Sequence, residues 1–101
     1  MKYNFLSTTL LINIMLCSPV FSNDLGTALK AYKEKNYLEA LEILSDITED
    51  DPAAFLYLGY IYEYGEGQDI NIEKALEYYK EAAAAGLDEA KNRIAEIQMY
   101  N

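Results

Sequence analysis

The chain has 101 residues, of which 51% are hydrophobic, with seventeen acidic against eight basic side chains. This length is enough for one small domain. The excess of negative charge disfavours binding to nucleic acid and to anionic lipid, because both repel carboxylates. The chain has no histidine and one cysteine, Cys17. The lack of histidine excludes a Ser/His/Asp triad. Because Cys17 lies in a predicted removable leader, the mature protein would also lack the cysteine needed for thiol catalysis, disulfides and Cys/His zinc sites.

The first 22 residues have the pattern of a cleavable signal peptide. Lys2 gives a positive start, residues 5–16 form a largely apolar run, and Val20 and Ser22 occupy the −3 and −1 positions of a cleavage site. An uncleaved anchor is the competing interpretation, but a bilayer requires roughly 20 apolar residues and this run is shorter and interrupted by polar side chains. The pattern therefore favours cleavage after Ser22.

Cleavage divides the chain into a signal peptide, residues 1–22, and a mature domain, residues 23–101, with seven basic and seventeen acidic side chains. We expect a periplasmic or secreted protein with no stable membrane insertion after cleavage. Acylation of Cys17 is a second interpretation of the leader. Leu16, however, stands where lipoprotein signals have Gly, Ala or Ser, which disfavours it.

Apolar residues recur every three or four positions along the mature chain, which predicts helices and no strands. The first helix is predicted over residues 24–35, and the second over residues 37–47 with Asn36 as its N-cap. Asp51 before a proline is a strong start signal, since Asp caps free backbone N–H groups and proline is tolerated at the first helical position. A third helix is therefore predicted over residues 52–64.

A glycine pair in residues 65–67 ends the third helix, because glycine adopts positive φ where other residues resist it. Asn71 is a plausible N-cap for a fourth helix, and the run that follows is rich in alanine, the best helix former. Gly86 ends this helix, which is predicted over residues 72–85.

A fifth helix is predicted over residues 89–99, with Asp88 as its N-cap. A shift of 35 residues aligns residues 36–44 with residues 71–79 at four identities in nine positions. A period near 35 is the length of a helix, turn and helix unit. The sequence therefore predicts an all-α stack of helical hairpins.

Small and aromatic residues recur in a fixed order and spacing across residues 54–86. The set is Ala54, Leu58, Gly59, Tyr62, Gly65, Gly67, Ala75, Tyr78, Tyr79, Ala82 and Gly86. This pattern resembles that of Sel1-like repeats, a branch of the tetratricopeptide-like α-solenoids. It departs from the usual pattern at Gln68, where Val is usual, and at Tyr78, where Trp is usual. Neither departure affects the expected fold.

Residues 24–51 are more similar to a tetratricopeptide unit. With Ala40 as the small residue of its second helix, Ala28 and Tyr37 fall at the helix-contact positions of that family, and Pro52 falls at its closing proline. Together the two resemblances imply a short solenoid of about two helical hairpins plus a C-terminal closing helix. About three units are usually needed for independent stability. With fewer units than that, the protein could be a marginal monomer, a homo-oligomer or one half of a complex, and the sequence does not decide between these states of assembly.

The resemblance also implies a concave surface formed by the first helix of each pair. By that analogy the partner-binding residues are Leu29, Tyr32, Lys33, Leu56, Tyr60, Glu63, Tyr64, Asn92, Glu96 and Met99, flanked by Leu25 and Tyr100. Tyrosine rings supply contact area at low entropy cost, and neighbouring carboxylates select basic partners. We therefore predict a module that binds another protein, one with a basic surface.

No catalytic residue, metal site or cofactor is expected. The glycine pair lacks the Lys and Ser/Thr that a phosphate-binding loop needs, and Glu66 with Asp69 supplies too few oxygen ligands for calcium. Three other roles stay open at the level of sequence. They are an immunity protein that neutralises a toxic effector by binding it, a carboxylate-based hydrolase of cell-wall glycan, and a structural subunit of an envelope assembly.

Overall fold

The computed structural model describes residues 23–100, so the predicted signal peptide and Cys17 lie outside the described residues. This part of the chain is all-helical and contains no strand. Its helices are α1 (Leu25–Lys33), α2 (Tyr37–Asp46), α3 (Ala53–Tyr64), α4 (Ile72–Ala84) and α5 (Asp88–Tyr100). The predicted all-α fold with two hairpins and a closing helix is confirmed, and each helix lies within two residues of its predicted bounds.

Three predicted helix starts are capped by side chains. Asp24 Oδ1 and Asn71 Oδ1 each accept a hydrogen bond from the backbone N–H three residues later, at 2.8 and 3.0 Å. Asp51 Oδ1 accepts from the N–H of Ala53 at 3.1 Å, and Pro52 between them has a helical φ of −60°. These bonds satisfy N–H groups that have no partner within the helix.

Asn36 is the N-cap residue of α2, as predicted, whereas the predicted cap of α5 is wrong. Asn36 precedes α2 but makes no side-chain cap bond, and its Nδ2 donates instead to Glu39 Oε1 at 2.7 Å. Its φ of −90° and ψ of 69° differ from the extended conformation of most N-caps. Asp88 is the first residue of α5 and not its cap, because Leu87 already precedes the helix and its carbonyl accepts from the N–H of Ala90.

Two helices end at glycines with positive φ, as predicted. Gly65 closes α3 at φ 69°, and Gly86 follows α4 at φ 99°. After α4 the N–H of Gly86 donates to the carbonyl of Ala83 at 2.9 Å, and the N–H of Leu87 donates to that of Ala82 at 3.1 Å. This pair of bonds is a Schellman motif, which reverses the chain toward α5.

Each helix packs against the next one in the chain, and α3 contributes to two buried clusters. The first cluster joins α1, α2 and α3 and contains Ala28, Ile43, Leu44, Ile47, Ala54, Leu58 and Ile61. The second joins α3, α4 and α5 and contains Leu56, Ala75, Tyr79, Ala82, Ala90 and Ile97. Because α3 serves both clusters, each hairpin covers an apolar face of its neighbour, which is the packing of a solenoid.

Helices α3 and α4 pack closely at Gly59. A Cβ atom at this position would lie 2.3 Å from Cε1 of Tyr79, whose side chain is fully buried. Only glycine leaves room for that ring, so Gly59 sets the distance between α3 and α4.

The residues expected to build the repeat are placed as follows. The buried ones are Ala28, Ala40, Ala54, Leu58, Gly59, Ala75, Tyr79 and Ala82. Tyr62 and Tyr78 are half-buried and stack with ring centroids 5.7 Å apart. Pro52, Gly67 and Gly86 are exposed at the turns. None of the helices in residues 23–100 is both long and apolar enough to span a membrane.

Candidate functional site

A cleft of about 320 Å³ lies between α1, α3 and α5, the first helices of successive hairpins. Its lining residues, here called the tyrosine groove, are Tyr32, Tyr57, Tyr60, Tyr64, Glu89 and Arg93. Tyr32, Tyr60 and Tyr64 belong to the predicted partner-binding set, so the structure brings three of those ten residues into one cleft.

The four rings of the groove form a continuous chain. Successive ring centroids are 5.8 Å apart for Tyr32 and Tyr57, 5.5 Å for Tyr57 and Tyr60, and 6.2 Å for Tyr60 and Tyr64. The first two contacts are edge-to-face, which aromatic rings prefer. The three tyrosines of α3 share one helix face because they are spaced by three and four residues.

Two hydroxyl groups of the groove are bonded to carboxylates from other elements. Tyr32 Oη donates to Glu66 Oε1 at 2.5 Å, and Tyr60 Oη donates to Glu89 Oε2 at 2.8 Å. Burial and the hydrogen bond to Glu66 raise the pKa of Tyr32, and burial and the hydrogen bond to Glu89 raise the pKa of Tyr60. Both hydroxyls therefore remain protonated donors at neutral pH.

A second polar network lies beneath the groove and joins α3, α4 and α5. Tyr79 Oη donates to Glu63 Oε1 at 2.6 Å, while Arg93 donates to Oε2 of Glu63 and to Glu96. The side chains of Glu63 and Arg93 are only 11% and 22% exposed. The Arg93 guanidinium also lies 5.7 Å from the ring centroid of Tyr64, a cation–π contact.

The ionisation of this network follows from its contacts. Burial alone would lower the pKa of Arg93, but the hydrogen bond and the charge of Glu63 outweigh burial and raise it. Burial and the hydrogen bond to Glu63 raise the pKa of Tyr79. The network thus holds a charged guanidinium and a neutral phenol, and it fixes α5 against α3.

Two predicted groove residues belong to the interior. Leu56 is 8% exposed and packs in the second buried cluster, so its expected place on the groove surface is wrong. It precedes Tyr60 by four residues, so it lies at the edge of the tyrosine face of α3, where residues of α4 and α5 cover it. Glu63 points into the network with Tyr79 and Arg93.

Other predicted residues lie outside the tyrosine groove. Leu29 and Lys33 line a separate shallow cleft on α1. Asn92 and Met99 are exposed on α5, Met99 at 73%. Glu96 is exposed, bonded to Arg93, and lines a different cleft near the end of α5.

Three residues that line the groove were not among the predicted partner-binding residues. Tyr57 lies one turn before Tyr60, so the three-residue spacing was sufficient to place it on the same face. Glu89 and Arg93 are four residues apart on α5, but their orientation depends on how α5 docks, which the sequence pattern does not give. Within residues 23–100 no group of three or more His, Cys, Asp or Glu side chains is arranged to hold a metal ion.

The fold and groove define an α-solenoid whose first helices share an open surface. Residues 52–87 match the family model described as Sel1 repeat, a range that contains α3, the glycine turn, α4 and the Schellman motif. Residues 52–87 therefore form a Sel1 repeat, as the sequence resemblance predicted. The comparisons with curated proteins and with solved structures give no match. Sel1 repeats generally mediate protein–protein interactions and are typically not enzymes.

Proposed function

We propose that this protein is an exported interaction module that binds a partner protein in the tyrosine groove. The observation that carries the proposal is the convergence of four tyrosine rings from α1 and α3 in one open cleft. Tyr64 is 52% exposed although it is a large aromatic side chain. Exposed aromatic clusters of this kind supply much of the binding energy in protein interfaces.

The charge around the groove favours a basic partner. Glu63, Glu66, Glu89 and Glu96 are bonded to groove or network side chains, and Arg93 is the only basic residue among the groove lining. The mature domain as a whole carries ten more acidic than basic side chains. A basic surface would therefore be attracted at long range and paired at contact, with a rate of association that falls as salt rises.

Export rests on the signal pattern of residues 1–22, which places the interaction in the periplasm or outside the cell. The test is affinity capture of the tagged protein from its native envelope fraction, with mass spectrometry of the captured proteins at low and moderate salt. We expect a stoichiometric basic protein whose recovery falls as salt rises. The identity of that protein then distinguishes an adaptor from an immunity protein.

Two variants link the capture to the groove. Tyr64→Ala removes an exposed groove ring, and we expect it to reduce recovery of the partner severalfold; Tyr60→Ala removes its neighbour. The matched control is Leu38→Ala, which removes another exposed apolar side chain, 69% exposed on α2 and outside the groove. Recovery that is unchanged in both tyrosine variants, or equally reduced by Leu38→Ala, would refute the groove as the binding site.

A further inference from the structure

We propose that the tyrosine groove binds the side chain of an arginine from the partner, held over the rings of Tyr57 and Tyr60 and paired with Glu89. This inference rests on the proposed function and assigns the chemistry of the group that the groove recognises. It follows from the hydrogen-bond directions, the ring contacts and the charge of the groove.

The hydrogen-bond directions leave the groove rich in acceptors. A tyrosine hydroxyl has one proton and two lone pairs, and Tyr32 and Tyr60 both give their proton to a carboxylate. Within residues 23–100 the second oxygen of Glu89 receives no hydrogen bond. The groove therefore offers hydroxyl lone pairs and a carboxylate oxygen, and a complementary group must supply several donors.

The rings favour a donor that is also a cation. Among the described residues, Lys74 Nζ lies 4.9 Å from the Tyr62 ring centroid outside the groove, and the Arg93 guanidinium lies 5.7 Å from the ring centroid of Tyr64 within the groove lining. The faces of aromatic rings attract cations. The groove places Tyr57 and Tyr60 in edge-to-face contact, with Glu89 bonded to the second of them.

The cation already present does not satisfy this site. Arg93 is held by Glu63 and Glu96, both outside the groove lining, so its charge is paired before any partner arrives. Glu66 and Glu89 have no basic side chain within ion-pair distance among the described residues. The groove therefore retains uncompensated negative charge next to its rings.

Arginine fits this arrangement better than lysine. Its guanidinium is planar, stacks on aromatic faces and carries five N–H donors that pair with a carboxylate through two parallel bonds. A lysine ammonium is a compact and strongly hydrated charge that lacks this planar fork.

The test uses two blocked pentapeptides of sequence Gly-Ser-X-Ser-Gly, in which X is arginine or its neutral isostere citrulline. Each peptide is titrated into the purified protein labelled with ¹³C-tyrosine, and the ring signals are followed by NMR. We expect the arginine peptide to shift the signals of Tyr57 and Tyr60 saturably, and the citrulline peptide to bind about tenfold more weakly.

Two variants that each remove one negative charge distinguish binding in the groove from general electrostatic attraction to an acidic protein. Glu89→Gln keeps an oxygen that accepts from Tyr60 but removes the charge, and we expect it to weaken binding of the arginine peptide about three- to tenfold. Glu81→Gln removes another exposed charge, from the cleft beside Phe55 and Tyr78, and we expect no change. Thermal unfolding of both variants checks that the fold is retained.

The outcomes distinguish this proposal from the proposed function. Equal binding of the citrulline peptide, or equal losses in Glu89→Gln and Glu81→Gln, would overturn the arginine site, as would shifts confined to tyrosines outside the groove. The interaction function would still stand if Tyr64→Ala abolishes capture of the partner. Conversely, if the Tyr60→Ala and Tyr64→Ala variants both still capture the partner, the proposed function is refuted, even if the arginine peptide binds the groove.

Discussion

The two hairpins bury their interiors with different chemistry. The first cluster is mainly aliphatic and is built on Ile43, Leu44 and Ile47, and the ion pair of this hairpin, Lys30 with Glu34, is exposed on the surface of α1. In the second hairpin the buried residues of α4 are two alanines and Tyr79. The first core is therefore apolar throughout, whereas the second contains a phenol that needs a hydrogen-bond partner.

The buried phenol of Tyr79 connects the second core to the candidate site. The hydroxyl of Tyr79 is satisfied by Glu63, and Glu63 in turn holds Arg93 on α5. Arg93 lines the tyrosine groove and lies over Tyr64. The same bonds that make the second core stable thus position α5 beside α3, while the first hairpin contributes to the groove only through Tyr32.

The largest expected effect is that of Tyr79→Ala. Removal of a buried aromatic ring costs about 3–5 kcal/mol, and here it also leaves Glu63 without one of its donors. Urea unfolding followed by circular dichroism measures the loss. Tyr100→Ala is the control, since this ring is 84% exposed and we expect a change of at most about 0.5 kcal/mol. A loss below about 1 kcal/mol for Tyr79→Ala would contradict the central place of this ring.

The second prediction compares the largely buried ion pair between Glu63 of α3 and Arg93 of α5 with the exposed pair of Lys30 and Glu34 in the first hairpin. Glu63→Gln leaves the largely buried Arg93 with a weaker partner, and we expect a loss of about 2 kcal/mol in the free energy of unfolding. Glu34→Gln breaks the exposed pair of the first hairpin, where the side chains are 76% and 60% exposed, and we expect less than about 0.5 kcal/mol. Equal losses of unfolding free energy in the two variants would contradict the prediction that the buried network contributes more to stability than the surface pair.

The third prediction is that two Gly→Ala substitutions have opposite signs. Gly59→Ala places a methyl group 2.3 Å from the buried Tyr79 ring, and overpacking of this kind costs about 1–3 kcal/mol. Gly26→Ala in α1 meets only an ordinary contact, 3.6 Å from Asp24, and we expect stabilisation of roughly 0.5 kcal/mol because alanine favours a helix. Thermal unfolding of the pair measures both. Stabilisation by Gly59→Ala would show that the ring has room to move.

Most of the fold was predictable because it depends on local signals. Apolar spacing predicted the five helices of residues 23–100, Asp51 with its proline predicted the start of α3, and glycine predicted the ends of α3 and α4. The wrong cap at Asp88, and the lack of a side-chain cap bond at Asn36, depend on turn geometry that is set by the preceding helix end. Residue type alone carries no information on that geometry.

The candidate site was less predictable because it depends on packing between helices. The family analogy identified the helices that face the groove but not which of their residues the neighbouring helices cover, and so it included Leu56, which is buried. It also placed Glu63 on the binding surface, whereas docking of α5 turns that carboxylate toward Tyr79 and Arg93. The role of Arg93 became evident only from contacts between residues thirty positions apart.

The smallest expected effect is a change in the pH dependence of stability. Burial and the hydrogen bond to Glu63 raise the pKa of Tyr79 in the folded state, so its contribution to stability is complete below the unfolded value of about 10 and is lost as pH rises above it. Tyr79→Phe removes this one group. Between pH 10 and 11 we expect the variant to lose stability less steeply than the wild type, by about 1 kcal/mol per pH unit.

Unfolding in urea at pH 8, 10 and 11 measures these slopes. Leu44→Ala is the matched control from the first hairpin, because it weakens a cluster whose buried residues are all aliphatic and leaves Tyr79 in place, and we expect it to keep the wild-type slope. A Tyr79→Phe variant with the wild-type slope would show that the phenol is as free to ionise in the folded as in the unfolded chain. The bond from Tyr79 to Glu63 would then no longer explain how the second core holds α5 at the groove.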